Sequence, residues 1–368
     1  MTNARYALFS GPARPLEIHQ HPLDQLSADE ALVNVSLCTL CGSDLHSYKG
    51  DRQVECPTVL GHEMVGTLVR LPAAGPLLDV SGNPLNVGDR VVWSVTVHCG
   101  ACYFCQHGLP QKCSSLFKYG HQRHQPNRPL AGGLADYCQL LSGSSLVKVP
   151  DSVSDMAAAP ASCATATVVG ACRRIGLESV NSLLILGAGM LGLTAAGYAR
   201  AAGVEQIIVV DMKPERLDLA SRFGATATVV ATDHATLQRE VAAASDGRGV
   251  DAVLELSGST QACQAGLQQL RIGGQMMLVG AVFSVDALPL DPEFVVRRCL
   301  RIEGVHNYAP ADLQLAMDFL ADGSCQQLLA ELVDRQFPLL EVQQAFEWAA
   351  TQECYRVGVQ MSADDVAL

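Results

Sequence analysis

The chain has 368 residues, of which 49% are apolar and 17% charged, enough to bury more than one hydrophobic core. A formal charge of −12 argues against a nucleic-acid partner, which needs a basic surface, and no apolar run approaches the roughly 20 residues of a membrane helix. The N-terminus has no apolar leader, so a cytoplasmic location is expected, and there the fourteen cysteines read as metal ligands and reduced core thiols rather than a disulfide framework.

Short β-rich runs punctuated by Gly and Pro come first: Ala31–Leu37, Val65–Leu71 and Arg90–Val97. They predict an irregular antiparallel barrel. Among them lie Cys41-Gly42-Ser43-Asp44-Leu45-His46 and Gly61-His62-Glu63. A thiol, an imidazole and a carboxylate are three zinc donor types, with a fourth position open for water or substrate, which is the layout of a catalytic zinc. Read singly, Cys41 is as readily a core thiol and His62 a hydrogen-bonded loop histidine. Cys99-x2-Cys102-x2-Cys105-x7-Cys113 is far more specific. Four thiolates at short spacing close a tetrahedral shell and leave no open position, so this zinc is expected to be structural. An iron–sulfur cluster also takes four cysteines, but at other spacings. Next comes Lys118-Tyr119-Gly120-His121-Gln122-Arg123-His124, then Arg128; with Arg52 upstream, these form a local basic excess in an acidic chain. A solvated loop accounts for it, and so does a pocket for an anionic alcohol, where Arg and Lys supply charge-assisted hydrogen bonds.

Beyond about residue 150, short apolar strands alternate with helical segments: Ser182–Leu186, Leu191–Ala202, Gln206–Val210, Pro214–Phe223, Val250–Leu256, Thr260–Leu270 and Gln275–Val279. Such alternation implies right-handed βαβ units and a parallel sheet covered on both faces. The first strand runs into Gly187-Ala188-Gly189-Met190-Leu191-Gly192, a Gly-x-Gly-x-x-Gly in the strand–turn–helix context that gives it meaning. Gly187 permits the tight turn, Gly189 the close approach of a pyrophosphate, and Gly192 close packing of the helix. Met190 and Leu191 open that helix, whose free N–H groups favour phosphate. Asp211, nineteen residues beyond Gly192, would bond the ribose hydroxyls and repel the extra phosphate of NADP, so NAD is expected; Lys213 nearby weakens that preference. Two further helices, Ala311–Ala321 and Val342–Ala350, belong to either domain as far as their pattern goes.

Taken in order, Cys-Gly-Ser-Asp-x-His, Gly-His-Glu, the four-cysteine lobe and Gly-x-Gly-x-x-Gly resemble the zinc-dependent medium-chain dehydrogenase family over essentially the whole chain. The resemblance implies an α/β protein: a GroES-like irregular β-barrel catalytic domain (1–153), a Rossmann doubly wound parallel sheet (154–308) and a C-terminal segment (309–368) returning to the first, with the site in the cleft between. It implies a zinc-dependent, NAD-linked alcohol dehydrogenase holding two zinc ions per chain. Cys41 and His62 match catalytic zinc ligands, Ser43 the hydroxyl beside the alcohol, His46 the outer end of the proton relay, and Asp44 a partner orienting His62. Arg356 matches a late basic residue that reaches the pyrophosphate. One departure stands out. Ala159 in Ala157-Ala158-Ala159-Pro160-Ala161-Ser162-Cys163 aligns with a ligand position and cannot bind metal. Glu63 is the preferred third ligand, as in the sorbitol-dehydrogenase-like branch; Cys163 is the alternative after a register shift.

The short similarity of Cys-Gly-Ser-Asp-Leu-His, Lys-Tyr-Gly-His and Ala-Pro-Ala-x-Cys-Ala-Thr-Ala-Thr to a subgroup associated with phosphonate catabolism agrees with an anionic alcohol. A polyol or secondary alcohol is the alternative substrate. A zinc-free quinone reductase and a non-catalytic family member are the competing readings. The resemblance further implies a homodimer or homotetramer joined sheet edge to sheet edge, with Leu300–Val305 as the edge strand.

Overall fold

The strand Ala31–Thr39 is almost wholly apolar at its inward positions, and the first unit of the fold is assembled along it. The structure, a computed structural model, describes residues 3–351 and 353–361. On one side this strand pairs antiparallel with Glu63–Arg70. Its other side is shared: Ala31–Asn34 faces Tyr137–Leu140, and Leu37–Thr39 faces Arg356–Gln360. Arg90–Val97 extends the sheet beyond Glu63–Arg70 and itself pairs with Ser144–Lys148 and Phe117–Lys118. Val333–Pro338 lies parallel to Arg356–Gln360 at the far edge. A smaller sheet joins Glu17–Pro22, Asn3–Phe9 and Thr58–Val59. Phe9, Leu32, Met64, Leu68 and Trp93 are fully buried between these layers, so the irregular barrel is a packed core rather than a channel.

The register of this sheet sets the chemistry described below. Thr39 stands opposite Glu63 on one side and Gly358 on the other. Three residues far apart in sequence, Thr39, Glu63 and Arg356, are thereby carried to one patch of the sheet.

This unit comprises the chain up to Ala166 together with the stretch from Ala309. The boundary expected after residue 153 therefore falls later. The helix Asp155–Pro160 and the π-helical turn Ala161–Thr165 pack against the strands Ala31–Thr39, Glu63–Arg70 and Arg90–Val97, and Ser36 Oγ donates to Asp155 Oδ2 at 2.6 Å.

The second unit, Thr167–Tyr308, is a six-stranded parallel sheet. Across the sheet the strands run Ala227–Val230, Gln206–Asp211, Ser182–Leu186, Val250–Glu255, Leu270–Leu278 and Arg301–Gly304. In chain order this is 3-2-1-4-5-6, the doubly wound arrangement whose switch point falls between the first and fourth strands. Every residue of Ser182–Leu186 is buried, as a central parallel strand covered on both faces requires. Arg301–Gly304 forms one edge of the sheet. Among the described residues no helix is long and apolar enough to cross a membrane.

Candidate active site

Cys41 lies two residues past the strand Ala31–Thr39 and caps the helix Gly42–Lys49, and His62 directly precedes the strand Glu63–Arg70. Asp44, only 1% exposed, ties the two segments together. Its Oδ2 accepts the Cys41 N–H at 3.0 Å, and its Oδ1 accepts the Gly61 N–H at 3.3 Å and lies 3.2 Å from His62 Nδ1. A carboxylate there keeps the proton on Nδ1 and leaves the Nε2 lone pair for a metal. Gly61 makes the turn possible: its φ is +90°, and a Cβ would stand 2.6 Å from Cys38 Sγ. Ser43 Oγ lies 3.2 Å from His62 Nε2, and His46 Nδ1 lies 3.3 Å from Asp51 Oδ2 at the partly exposed end of the same helix.

The third member of the group is Cys163. The sulfur atoms of Cys41 and Cys163 and a ring nitrogen of His62 all lie within 4.8 Å of one another, a span one ion can bridge. Pro160 lacks the N–H that would continue an α-helical ladder, and the chain passes into a single π-helical turn that brings Cys163 to the group. Ser162 locks that turn in place. Its hydroxyl accepts the Met64 N–H at 3.1 Å and stands 3.3 Å from the His62 carbonyl and 2.9 Å from that of Ala159. The Cys41 thiol is held well below its usual range, first by the hydrogen bond from Cys163 and, against the cost of burial, by the charges of Arg356 and His62.

Glu63 is placed differently from the expectation that it binds the metal. Its Oε2 accepts from Arg356 Nε at 2.9 Å and Thr39 Oγ1 at 2.7 Å, and its Oε1 from Arg356 Nη2 at 3.1 Å. Both oxygens are thus committed to a bidentate ion pair, which a carboxylate with 0% exposure requires. The same geometry places Arg356 at the donor group. Its guanidinium is buried within the first unit, binds Glu63 through Nε and Nη2, and reaches Cys41 Sγ at 3.8 Å.

Cys99, Cys102, Cys105 and Cys113 converge in a separate lobe. Sulfur atoms lie 3.5 Å (Cys102–Cys105), 3.9 Å (Cys102–Cys113) and 3.5 Å (Cys99–Cys113) apart. Zinc–sulfur bonds of about 2.3 Å in a tetrahedron give edges of about 3.8 Å, so the four thiols fit one zinc ion. They are too far apart for disulfides. Backbone N–H groups of Ser114 and Cys105 pull the Cys102 thiol down to about 5, as a thiolate ligand needs.

In the second unit, Gly189 caps the helix Met190–Ala201 and directs the N–H groups of Met190, Leu191 and Gly192 toward the turn. A Cβ on Gly192 would meet the Gly187 carbonyl oxygen at 1.8 Å, so only glycine allows this approach of helix to strand. Gly187, Gly189, Asp211, Lys213 and Arg216 line a cavity of about 570 Å³ at the carboxyl ends of the strands. Asp211 braces its mouth, its Oδ2 accepting the Ala188 N–H at 2.7 Å and its Oδ1 the Lys213 N–H at 2.8 Å, with lone pairs left over for a ligand hydroxyl. Arg216, Thr39 and Ser162 escape the sequence reading. Arg216 sits in a helix pattern with no motif, and the other two act only across strand pairings and turns that no local spacing reveals.

A third cluster borders the first. Arg52 Nη1 lies 2.9 Å from His121 Nε2, His121 Nδ1 lies 2.9 Å from the Tyr119 carbonyl, and the rings of His121 and His62 are 4.9 Å apart. Burial and then the charge of Arg52 push the Lys118 ammonium down to about 8, while the Cys163 and Cys41 sulfurs pull it up. Lys118 and His121 therefore sit within electrostatic reach of the Cys41–His62–Cys163 group, with Arg52 held against His121.

Comparison with known proteins agrees with this architecture. The alcohol dehydrogenase GroES-like domain family matches residues 27–151, and the zinc-binding dehydrogenase family matches residues 191–322. A sorbitol dehydrogenase of Bacillus subtilis (strain 168) is 32% identical over 94% of each chain. A D-arabitol-phosphate dehydrogenase of Enterococcus avium is 30% identical over 87% of this chain and 86% of its own. The crystal structure of an alcohol dehydrogenase from Thermotoga maritima superimposes with a TM-score of 0.93 at 28% identity, covering 98% of this chain and 100% of that one. Sequence, fold and the two donor clusters converge on one assignment: the chain belongs to the zinc-dependent medium-chain dehydrogenase family.

Proposed function

We propose that the protein oxidises an alcohol to an aldehyde or ketone by hydride transfer to NAD, at a centre formed by Cys41, His62 and Cys163. The convergence of two thiols and an imidazole within 4.8 Å carries this reading, because three such donors suit a zinc ion with one position left for substrate. When bound, zinc supplies Lewis acidity toward a substrate oxygen and the dinucleotide supplies the hydride acceptor. The protein's own groups do the rest. Asp44 holds His62 in one tautomer, and Arg356 occupies both oxygens of Glu63 behind the thiols, so that Glu63 does not compete for the metal. Ser43, beside His62 Nε2, takes the alcohol proton as it releases its own hydroxyl proton toward His46, three positions on and so on the same helix face, which passes a proton to solvent. The four-cysteine lobe holds a second zinc that staples its loop and takes no part in the chemistry.

Asp211 sets the cofactor as NAD, because its carboxylate at the mouth of the cavity repels a ribose phosphate. Asp211→Gly should raise the ratio of kcat/KM for NADP over NAD by about 10- to 100-fold, since removal of a facing like charge relieves several kcal/mol. An unchanged ratio would show that Asp211 does not read the cofactor. The substrate is a small alcohol bearing an acidic group, in keeping with the relative named for a phosphorylated polyol. A substrate panel with NAD, spanning polyols, secondary alcohols and hydroxyalkyl phosphates and phosphonates, tests the activity: alcohol-dependent reduction of NAD is expected, and none from any of them would contradict it. Assembly through the edge strand Arg301–Gly304 into a homodimer or homotetramer completes the proposal.

A further inference from the structure

Arg52 and Lys118 are half-buried cations beside the reacting group, and neither has a carboxylate within ion-pair distance among the described residues. In a chain with twelve excess negative charges this is unexpected, because partly buried charges cost free energy unless they are paired. The nearby acids are already committed: Asp44 to Cys41, Gly61 and His62, and Glu63 to Arg356 and Thr39. A dipositive ion on Cys41 and Cys163 sums to zero with two thiolates, so a bound metal leaves both cations uncompensated.

The cluster is also rigid. Tyr119 is fully buried, with its hydroxyl 2.8 Å from Ser144 Oγ and accepting the Leu141 N–H at 3.0 Å. Gly120, at φ +75°, lies so close to the loop carrying His62 that a Cβ there would stand 2.5 Å from the Gly61 carbonyl oxygen. His121 is held in one tautomer. Its Nδ1–H donates to the Tyr119 carbonyl, so its Nε2 can only accept, and it accepts from Arg52. The side of the guanidinium away from His121 keeps its remaining donors.

Resting on the dehydrogenase reading, we propose that Arg52 and Lys118 form an anion subsite that binds the acidic group, carboxylate, phosphate or phosphonate, of the alcohol substrate, with His121 as the residue that positions Arg52. The subsite makes this enzyme selective for hydroxy acids and their phosphorus analogues over neutral alcohols of equal length.

Two measurements on the zinc-loaded protein with NAD test this. The first is calorimetric titration with butanoate, propyl phosphate and propylphosphonate, which carry the anion and no hydroxyl, so nothing reacts. Binding to the wild type is expected, weakened about 10- to 100-fold in Arg52→Gln and in Lys118→Gln, which is the range for losing one charge-assisted hydrogen bond. The tightest of the three anions identifies the acidic group. The second is the kcat/KM ratio for an anionic over a neutral alcohol of equal length. It should exceed one in the wild type and fall in both variants through KM. His121→Phe, which keeps a ring against His62 but loses the acceptor, should lower the ratio too, and His121→Gln should restore part of it. Wild-type anion affinity in both Gln variants overturns the subsite, as does a change confined to NAD affinity. Neutral alcohols turned over as fast as anionic ones overturn the subsite and leave the dehydrogenase standing. Intact anion binding with no turnover of any alcohol supports the subsite and overturns the dehydrogenase reading.

Discussion

Cys163→Ala is expected to reduce the zinc content from two ions per chain to one and to lower kcat/KM for alcohol oxidation by about a thousandfold or more. The structure offers one ion three donors at Cys41, His62 and Cys163 and four at the cysteine lobe. Removing one of three donors should empty the first site without touching the second. The activity loss follows because a Lewis acid contributes several kcal/mol of transition-state stabilisation, and each 1.36 kcal/mol is about tenfold in rate. Glu63→Gln makes the contrast. It is expected to keep the zinc at Cys41, His62 and Cys163, since Glu63 holds Arg356 and Thr39 rather than metal. Metal analysis of the two variants decides the point: loss of zinc in Glu63→Gln with full content in Cys163→Ala would return the ligand role to Glu63.

Arg356→Met should destabilise the first unit by about 3–5 kcal/mol, the cost of leaving a buried carboxylate without its partner. The size comes from the setting. Glu63 is fully buried and the pair is bidentate at 2.9 and 3.1 Å, so no solvent is available to replace the guanidinium. A pair this dry behaves as a unit, and the double variant Glu63→Gln/Arg356→Met should cost much less than the sum of the single ones. Urea unfolding of the four proteins measures the coupling. Additive effects, or a loss below about 1 kcal/mol for Arg356→Met, would place the pair in the class of exposed surface bridges and contradict its structural role.

These two predictions mark where the sequence was legible and where it was not. The four-cysteine lobe and the Gly187–Gly192 turn could be read directly, because their ligands and glycines lie within a few residues of each other and the spacing carries the geometry. Cys41 and His62 could be read as a pair through two short motifs. Cys163 could not be ranked above Glu63, because alignment with the family places Ala159 at the ligand position, and the π-helical turn after Pro160 has no simple sequence signature. The pairing of Arg356 with Glu63 is hidden for a different reason. The partner of Arg356 lies 293 residues away and is selected by the pairing of Arg356–Gln360 and Glu63–Arg70 on opposite sides of Ala31–Thr39. The basic excess near Lys118 was visible as composition, but its meeting with Arg52 and His62 depends on the packing of Gly120 against Gly61. Local chemistry is thus encoded in spacing, whereas the choice among candidate ligands is made by strand register and one irregular turn.

The central claim, that zinc held by Cys41, His62 and Cys163 drives alcohol oxidation, is tested most directly by removing and restoring the metal. Protein stripped of zinc by a chelator should lose alcohol-dependent NAD reduction, and activity should return in proportion to the zinc bound at Cys41, His62 and Cys163. Full activity in zinc-free protein, or two bound zinc ions with no alcohol-dependent reduction of NAD, would contradict it.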